Sequence, residues 1–323
     1  MRQPIRTILI LILLGGLLGA QEFRKSGTSG FIFLELPVTA RYAGLGEAGI
    51  SVPDAESDGL FVNPALTAYS ESRFSASLSH ANWYVDTDHQ AAGLTWRTNA
   101  GVFGAQIVYF DFGEVARTQN FIPGIFEPGA GDDLPYAEQG TYTAGAYAFG
   151  LTAARRLTDR FGFGASVKYV REEIDIYDAS NLVVDLGFVY LTAFHSLRVG
   201  AFLQNFGLES EYIVEKFRMP QQLKMELSAE VLGSLDGPNR LTVITSALHP
   251  TNSQERFHLG VESVLIDALV LRGGYKFGYD EENLTLGAGL RFAHRQKRVR
   301  LDLAYMKHDQ LDTTLRTTLA FDL

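Results

Sequence analysis

The sequence predicts an all-β fold, a transmembrane antiparallel β-barrel of about fourteen strands behind a small, partly helical N-terminal plug. Three observations predict it. The last nine residues alternate: Leu315, Leu319, Phe321 and Leu323 share one parity with Thr317, whereas Arg316, Thr318, Ala320 and Asp322 hold the other. A strand sends successive side chains to opposite faces, so this segment presents an apolar face that needs lipid to cover it. Alternating segments of about ten residues recur from residue 71 to the end, each closed by a turn signal. The connections between them alternate between short and long, as periplasmic turns and outer loops do in such barrels.

In chain order, residues 1–20 read as a secretory signal peptide. Arg2 and Arg6 precede the apolar run Ile8 to Leu14, and Gly15, Gly16, Gly19 and Ala20 supply small residues before Gln21. The chain has no Cys, which excludes a lipoprotein anchor and a disulfide framework. It carries 28 Lys and Arg against 37 Asp and Glu, a net charge of −9, and losing the leader makes it more acidic. That balance argues against a nucleic-acid partner, which calls for a basic patch. The basic stretch from His294 to Arg300 reads instead as a polar turn opening onto the lumen face of a strand. No segment after Ala20 approaches the roughly 20 apolar residues of a membrane helix. An exported chain of this kind belongs in the bacterial outer membrane, with outer-membrane lipid around it.

Residues 21–70 form the plug segment and 71–323 the barrel. Gly44 and Gly46 let plug backbone approach other backbone closely. Residues 53–57 read as the start of one short helix and residues 63–69 as a second, with Asn63 as its cap and Pro64 at its first position, ahead of Ala65. In the barrel, Phe161, Phe163, Ala165, Val167 and Tyr169 oppose Gly162, Gly164, Ser166 and Lys168. Val299, Leu301, Leu303 and Tyr305 likewise oppose Arg298, Arg300, Asp302 and Ala304. The charged parity faces a polar lumen, and the glycines leave room for something inside it. The longest connections, 113–140 and 206–220, fall on the outer side, and residues 172–181 read as a further outer loop. Trp83, Tyr84, Tyr109, Phe110, Phe112, Tyr190, Phe194, Tyr275, Phe277 and Tyr305 sit near strand ends, where interfacial girdles form.

Several stretches resemble the PorV/PorQ family of outer-membrane barrels, relatives of the FadL-type fatty-acid transporters. They are Phe33-Leu34-Glu35-Leu36, Ala40 to Ala48 with Arg41 at its start, Phe61-Val62-Asn63-Pro64-Ala65-Leu66, Ser79 to Tyr84, Tyr109 to Glu114, Leu203 to Gly207, and Leu271 to Tyr275. The resemblance implies a fourteen-stranded barrel with a plug fixed by Arg41, Asn63 and Pro64. It also implies, for one branch, service in type IX secretion, with secreted cargo proteins bearing C-terminal sorting domains and secretion-machinery components as partners.

No catalytic constellation stands out, and no metal or cofactor is expected. The seven histidines are scattered, and Ser79-His80 reads as a polar strand end rather than a hydrolase pair. Asp54, Glu56 and Asp58 lack a calcium-loop pattern and read as a solvated turn. The first functional expectation is a non-enzymatic barrel that binds or shuttles secreted proteins. Trp83, Tyr84, Phe121, Ile122 and Phe126 would be its apolar outer surface; the last three lie in a loop that reads equally as a cargo-binding lip or as a flap over the mouth. The alternative is a FadL-like passive transporter of hydrophobic small molecules, with plug glycines and a lateral gap between strands as the route.

Overall fold

The computed structural model describes residues 27–118, 138–295, 297–308 and 310–323. The strands are β1 (Phe74–Asn82), β2 (Asp88–Arg97), β3 (Val102–Thr118), β4 (Glu138–Thr158), β5 (Phe161–Ile174), β6 (Tyr177–Leu191), β7 (Arg198–Gly207), β8 (Ser210–Glu211), β9 (Lys216–Phe217), β10 (Gln222–Leu232), β11 (Arg240–Pro250), β12 (Arg256–Leu265), β13 (Leu269–Phe277), β14 (Leu284–His294), β15 (Lys297–Met306) and β16 (Thr314–Asp322). Fourteen of them form one closed antiparallel barrel, in which β16 pairs with β1; β8 and β9 make a separate ribbon.

Closure follows from the alternating pattern. Along β16, Thr314, Arg316, Thr318, Ala320 and Asp322 are buried inward while Leu315 and Phe321 are exposed. In β5, Gly162, Gly164, Ser166 and Lys168 face in, and Val167 and Tyr169 face out. The exterior is a continuous belt of exposed apolar residues, among them Phe74, Leu94, Phe149, Leu259, Leu286 and Leu303. Water does not solvate such a belt, and a barrel with no free edge satisfies every backbone group in lipid. The protein is a bacterial outer-membrane β-barrel.

The connections 98–101, 159–160, 192–197, 233–239, 266–268 and 295–296 lie at one end, here the inner, periplasmic end. The opposite, outer end carries 83–87, 208–221, 251–255 and 278–283, together with the far ends of β3, β4, β15 and β16. One expected outer loop is absent. β5 and β6 run on as a hairpin joined only by Asp175 and Ile176, with unbroken pairing from Phe161↔Tyr190 to Ile174↔Tyr177. Above the membrane these strands no longer face lipid, so their sequence loses its apolar parity while the ladder persists.

The lumen is filled by a plug of short helical turns: Ile32–Glu35, Ala40–Gly44, Glu56–Asp58, Gly59–Val62 and Pro64–Thr67. Thr39 caps the second, and Asn63 caps the last by accepting from the Ala65 amide at 3.0 Å. Two close approaches let the plug sit against the wall. A β-carbon on Gly187 of β6 would lie 1.9 Å from Asn63 Oδ1, and one on Gly274 of β13 would lie 2.1 Å from the amide nitrogen of Gly46. Gly46 itself has φ +65, a conformation that glycine adopts at no steric cost.

Candidate functional site

The lumen divides into two zones of opposite chemistry. The lower zone, between plug and wall, is held by ion pairs. Arg41 donates through Nε and Nη2 to both carboxylate oxygens of Glu262, each at 3.0 Å, and through Nη1 to the Asp54 carbonyl at 2.8 Å. Asp54 also pairs with Arg240 and Arg291. Arg272 joins Glu262 at 2.8 Å to Asp302 at 2.6 Å. Arg300 bridges Asp58 and Asp322, each at 3.1 Å. Burial pushes the Asp54 carboxyl up, but the three guanidiniums around it overcome this and hold it well below the usual carboxylate range. Asp54 and Asp58 are therefore spent on arginines. Among the described residues no group of three or more His, Cys, Asp or Glu stands where a metal ion would be held.

Glu226 anchors the plug from β10, accepting from the amides of Gly49 at 2.7 Å and Ser51 at 2.8 Å. Asn63 donates to the Ile50 carbonyl at 2.7 Å. Pro64 and Ala65 press against Gly164, whose β-carbon would meet Pro64 C at 2.4 Å and Ala65 N at 2.5 Å. A β-carbon on Gly44 would contact the Gly287 backbone at 3.0 Å. The structure thus places Arg41, Gly44, Gly46, Asn63, Pro64 and Ala65 together along the seam between plug and barrel. Below them lies an inner-end basin of about 550 Å³, lined by Asp54, Glu56, Arg97, Arg156, Arg240 and Arg291 among others.

The upper zone is apolar. Phe31, Phe33, Leu36, Trp83, Phe110 and Phe112 surround an outer-end cavity of about 430 Å³, together with Ile32, Tyr84, Val85, Ile174 and Tyr212. The first plug turn forms its floor, and Phe33 also lines a cavity of about 30 Å³ below it, next to Lys168 and Asp185. Phe31 packs on Phe217 of the outer ribbon at 5.6 Å, and the Gly30 amide donates to the Arg218 carbonyl at 3.2 Å, tying the floor to that ribbon. Phe110 and Phe112 stand edge to face at 4.8 Å. Trp83 covers the Arg316 guanidinium, 5.6 Å from its ring. The polar lining is Ser29, Tyr84, Thr87, Glu172 and Tyr212, and three of these side chains are engaged. Tyr212 donates to Glu172 at 2.5 Å, and Thr87 donates to the Tyr84 carbonyl at 2.9 Å. Burial and the adjacent Glu172 carboxylate push the Tyr212 hydroxyl pKa well up, so it stays protonated.

Two sequence expectations change here. Trp83 is 5 % exposed and Phe110 also 5 %, so with Phe112 they face the lumen instead of joining a lipid girdle or an outer lip. Tyr109, Tyr190, Tyr275, Phe277 and Tyr305 do face outward. The lateral gap is not found between β2 and β3, which pair without interruption from Asp88↔Asp111 to Arg97↔Val102. The closure is likewise continuous, with β1 and β16 paired from Ser75↔Asp322 to Asn82↔Leu315, whereas the β6–β7 ladder breaks between Val184 and Leu186. Phe121, Ile122 and Phe126 lie outside the described residues. Ser79 donates to the Val38 carbonyl inside the lumen while His80 faces out, so the two do not form a pair.

The sequence matches no family model and no curated protein. The fold does have solved counterparts. The Ralstonia pickettii toluene transporter TbuX superposes over 91% of this chain and 98% of its own, with a TM-score of 0.60 and 14% identity. The monoaromatic hydrocarbon channel CymD covers the same shares with a TM-score of 0.59 and 12% identity. A Pseudomonas aeruginosa FadL homologue covers 88% and 97%, with a TM-score of 0.54 and 11% identity. The protein has the fold of the FadL-like barrels. At this level of identity the likeness extends to architecture, and the chemistry of the site rests on its own residues.

Proposed function

We propose that the protein is a passive, non-enzymatic transporter of small hydrophobic molecules across the outer membrane. The outer-end cavity carries this reading. It is lined mainly by aromatic and aliphatic side chains, its Tyr212, Glu172 and Thr87 side chains are internally hydrogen-bonded, and its volume suits a small ligand. The fold likeness to a toluene transporter and a monoaromatic hydrocarbon channel supports it. The ion-paired zone beneath closes the direct axial route to a hydrocarbon, because an apolar solute gains nothing by displacing paired charges. Capture occurs in the cavity, and onward passage requires movement of the plug or the wall. The seam residues Arg41, Gly44, Gly46, Asn63, Pro64 and Ala65 hold the plug in its resting place, and residues 1–20 act as the export leader.

The reading as a receiver of secreted proteins, which the PorV/PorQ resemblance suggested, loses the outward Trp83 it relied on. The test is uptake by cells expressing the protein, with toluene and a long-chain alkane as probes. Wild type is expected to accelerate entry of a hydrophobic probe, and Phe110→Asp to abolish the gain while leaving the folded barrel in the membrane. Equal entry with and without the protein, together with loss of surface proteins on deletion, overturns the proposal.

A further inference from the structure

The two rims of the barrel differ in charge balance. Arg73, Arg97, Arg155, Arg156 and Arg160 are exposed at the inner end beside Glu71, Asp159, Asp236 and Asp267, whereas the outer turns expose Asp86, Glu173, Asp175, Asp178, Glu209 and Glu211 beside Lys216, Arg218 and Lys307. Two of the inner cations border a distinct patch on the lipid-facing wall. Phe74, Trp96 and Phe103 lie side by side on β1, β2 and β3, paired as Phe74↔Trp96 and Trp96↔Phe103, and each is more than a third exposed. The Phe74 and Trp96 rings stack at 6.2 Å with planes 4° apart, and the Arg73 guanidinium sits 5.7 Å from the Phe74 ring centre.

Arg155 closes the other side. On β4, Ala153 pairs with Phe103, and Arg155 follows two residues on with the same outward parity. Neither Arg73 nor Arg155 has a carboxylate partner among the described residues. β1 and β4 are three strand spacings apart, roughly 14 Å, so both arginine arms reach over one headgroup. Toward the outer end, on the lipid face of the same three strands, Ala76 and Ala105 flank the exposed Leu94, and Ala92 lies one step beyond, between Leu78 and Ile107. Around Ala92 the wall forms an open groove of about 600 Å³, lined by Leu78, Ile107 and Tyr109 and closed at its outer end by His80 and Gln90.

We infer that this sector is a binding site for an anionic phospholipid of the inner leaflet. The phosphodiester and its anionic headgroup meet Arg73 and Arg155 at the membrane interface, where a juxtamembrane cation attracts acidic lipid. The glycerol backbone rests on the Phe74–Trp96 stack, as aromatic rings do at headgroup depth. One acyl chain runs up the sector into the groove between Leu78 and Ile107. The site is on the opposite side of the wall from the lumen, and it rests on the barrel and its orientation, independent of what the lumen transports.

Trp96 reports on the site directly, because Trp83 and Trp96 are the two tryptophans of the chain. In a Trp83→Phe background, the barrel is placed in nanodiscs of phosphatidylethanolamine containing a minor share of brominated phosphatidylglycerol or of brominated phosphatidylethanolamine. The bromolipid quenches Trp96 according to its local enrichment. The expected result is preferential quenching by phosphatidylglycerol, roughly fivefold for each arginine. The preference falls to parity in Arg73→Gln/Arg155→Gln, and inorganic phosphate at matched ionic strength leaves it intact. Native mass spectrometry of the wild-type barrel, whose retained phosphatidylglycerol disappears in the double variant, gives the same reading if Trp83→Phe does not fold. Equal quenching by both lipids, or a preference that survives the double substitution, overturns the site. Displacement by free phosphate overturns the lipid as its occupant.

Discussion

The upper and lower halves of the lumen are made from the same strands and the same plug, yet they solve different problems. The lower half meets the plug with charge: Arg41, Glu262, Asp54, Arg240 and Arg272 satisfy one another in a buried network. The upper half meets it with rings: Phe31, Phe33, Trp83 and Phe110 leave a cavity and few polar groups. A buried ion network is costly to disturb, because removing one member strands the others without water. An apolar cavity deforms at small cost and welcomes any solute of similar character. On the proposed function the difference separates holding from receiving: charge fixes the plug, and rings take the guest.

Breaking the lower half gives the largest effect. Arg41→Ala takes one guanidinium from Glu262 and Asp54, which keep Arg240, Arg272 and Arg291, and it is expected to destabilise the plug by about 3 kcal/mol. Protease nicking of residues 32–67 in detergent checks this, with the barrel strands still protected. Breaking the upper half acts on ligand instead. Phe110→Ala removes a ring from the cavity wall and is expected to weaken binding of a hydrophobic probe by roughly tenfold to a hundredfold. Titration of probe fluorescence measures it, and protease protection of the plug stays near wild type. A smaller effect follows from Asn63→Ala, which removes the cap on Pro64–Thr67 and the bond to the Ile50 carbonyl, costing about 1 kcal/mol. The shift in thermal midpoint of plug release reports it.

The pH response sharpens the contrast further. Burial alone would raise the Glu47 carboxyl, but Lys276 at 2.8 Å and nearby cations hold it down to about 2. A folded value below the unfolded one of 4.5 stabilises fully above about 4.5 and is lost as pH falls toward 2. Pepsin is therefore expected to cut the plug only as pH approaches 2, and Glu47→Gln to flatten that profile, while probe binding at neutral pH stays nearly constant.

Much of this was legible in the sequence. Fourteen alternating segments, the outward apolar parity of β16 and the inward glycines of β5 and β14 give the barrel and its filled lumen. Asn63-Pro64 gives the cap, because capping is a local contact. Three things were hidden. The partners of Arg41 and Arg300 lie on strands far away in sequence, so pairing needs the closed ring to be visible. The β5–β6 hairpin outlasts the lipid belt, and its polar outer part reads as loop. Phe110 and Phe112 share the inward parity of β3 with Val108 and Gln106, a signal that was present but read as a girdle because most aromatics near strand ends face lipid. An aromatic residue on the lumen parity, opposite outward Tyr109, was the available clue to the cavity.

The most direct test is a crystal structure of the barrel soaked with bromobenzene, read by bromine anomalous scattering. The account predicts a peak in the outer-end cavity between Phe31, Trp83 and Phe110, lost in Phe110→Asp. A peak confined to the inner basin beside Arg240 and Arg291, or no lumen peak at saturating solute, contradicts it.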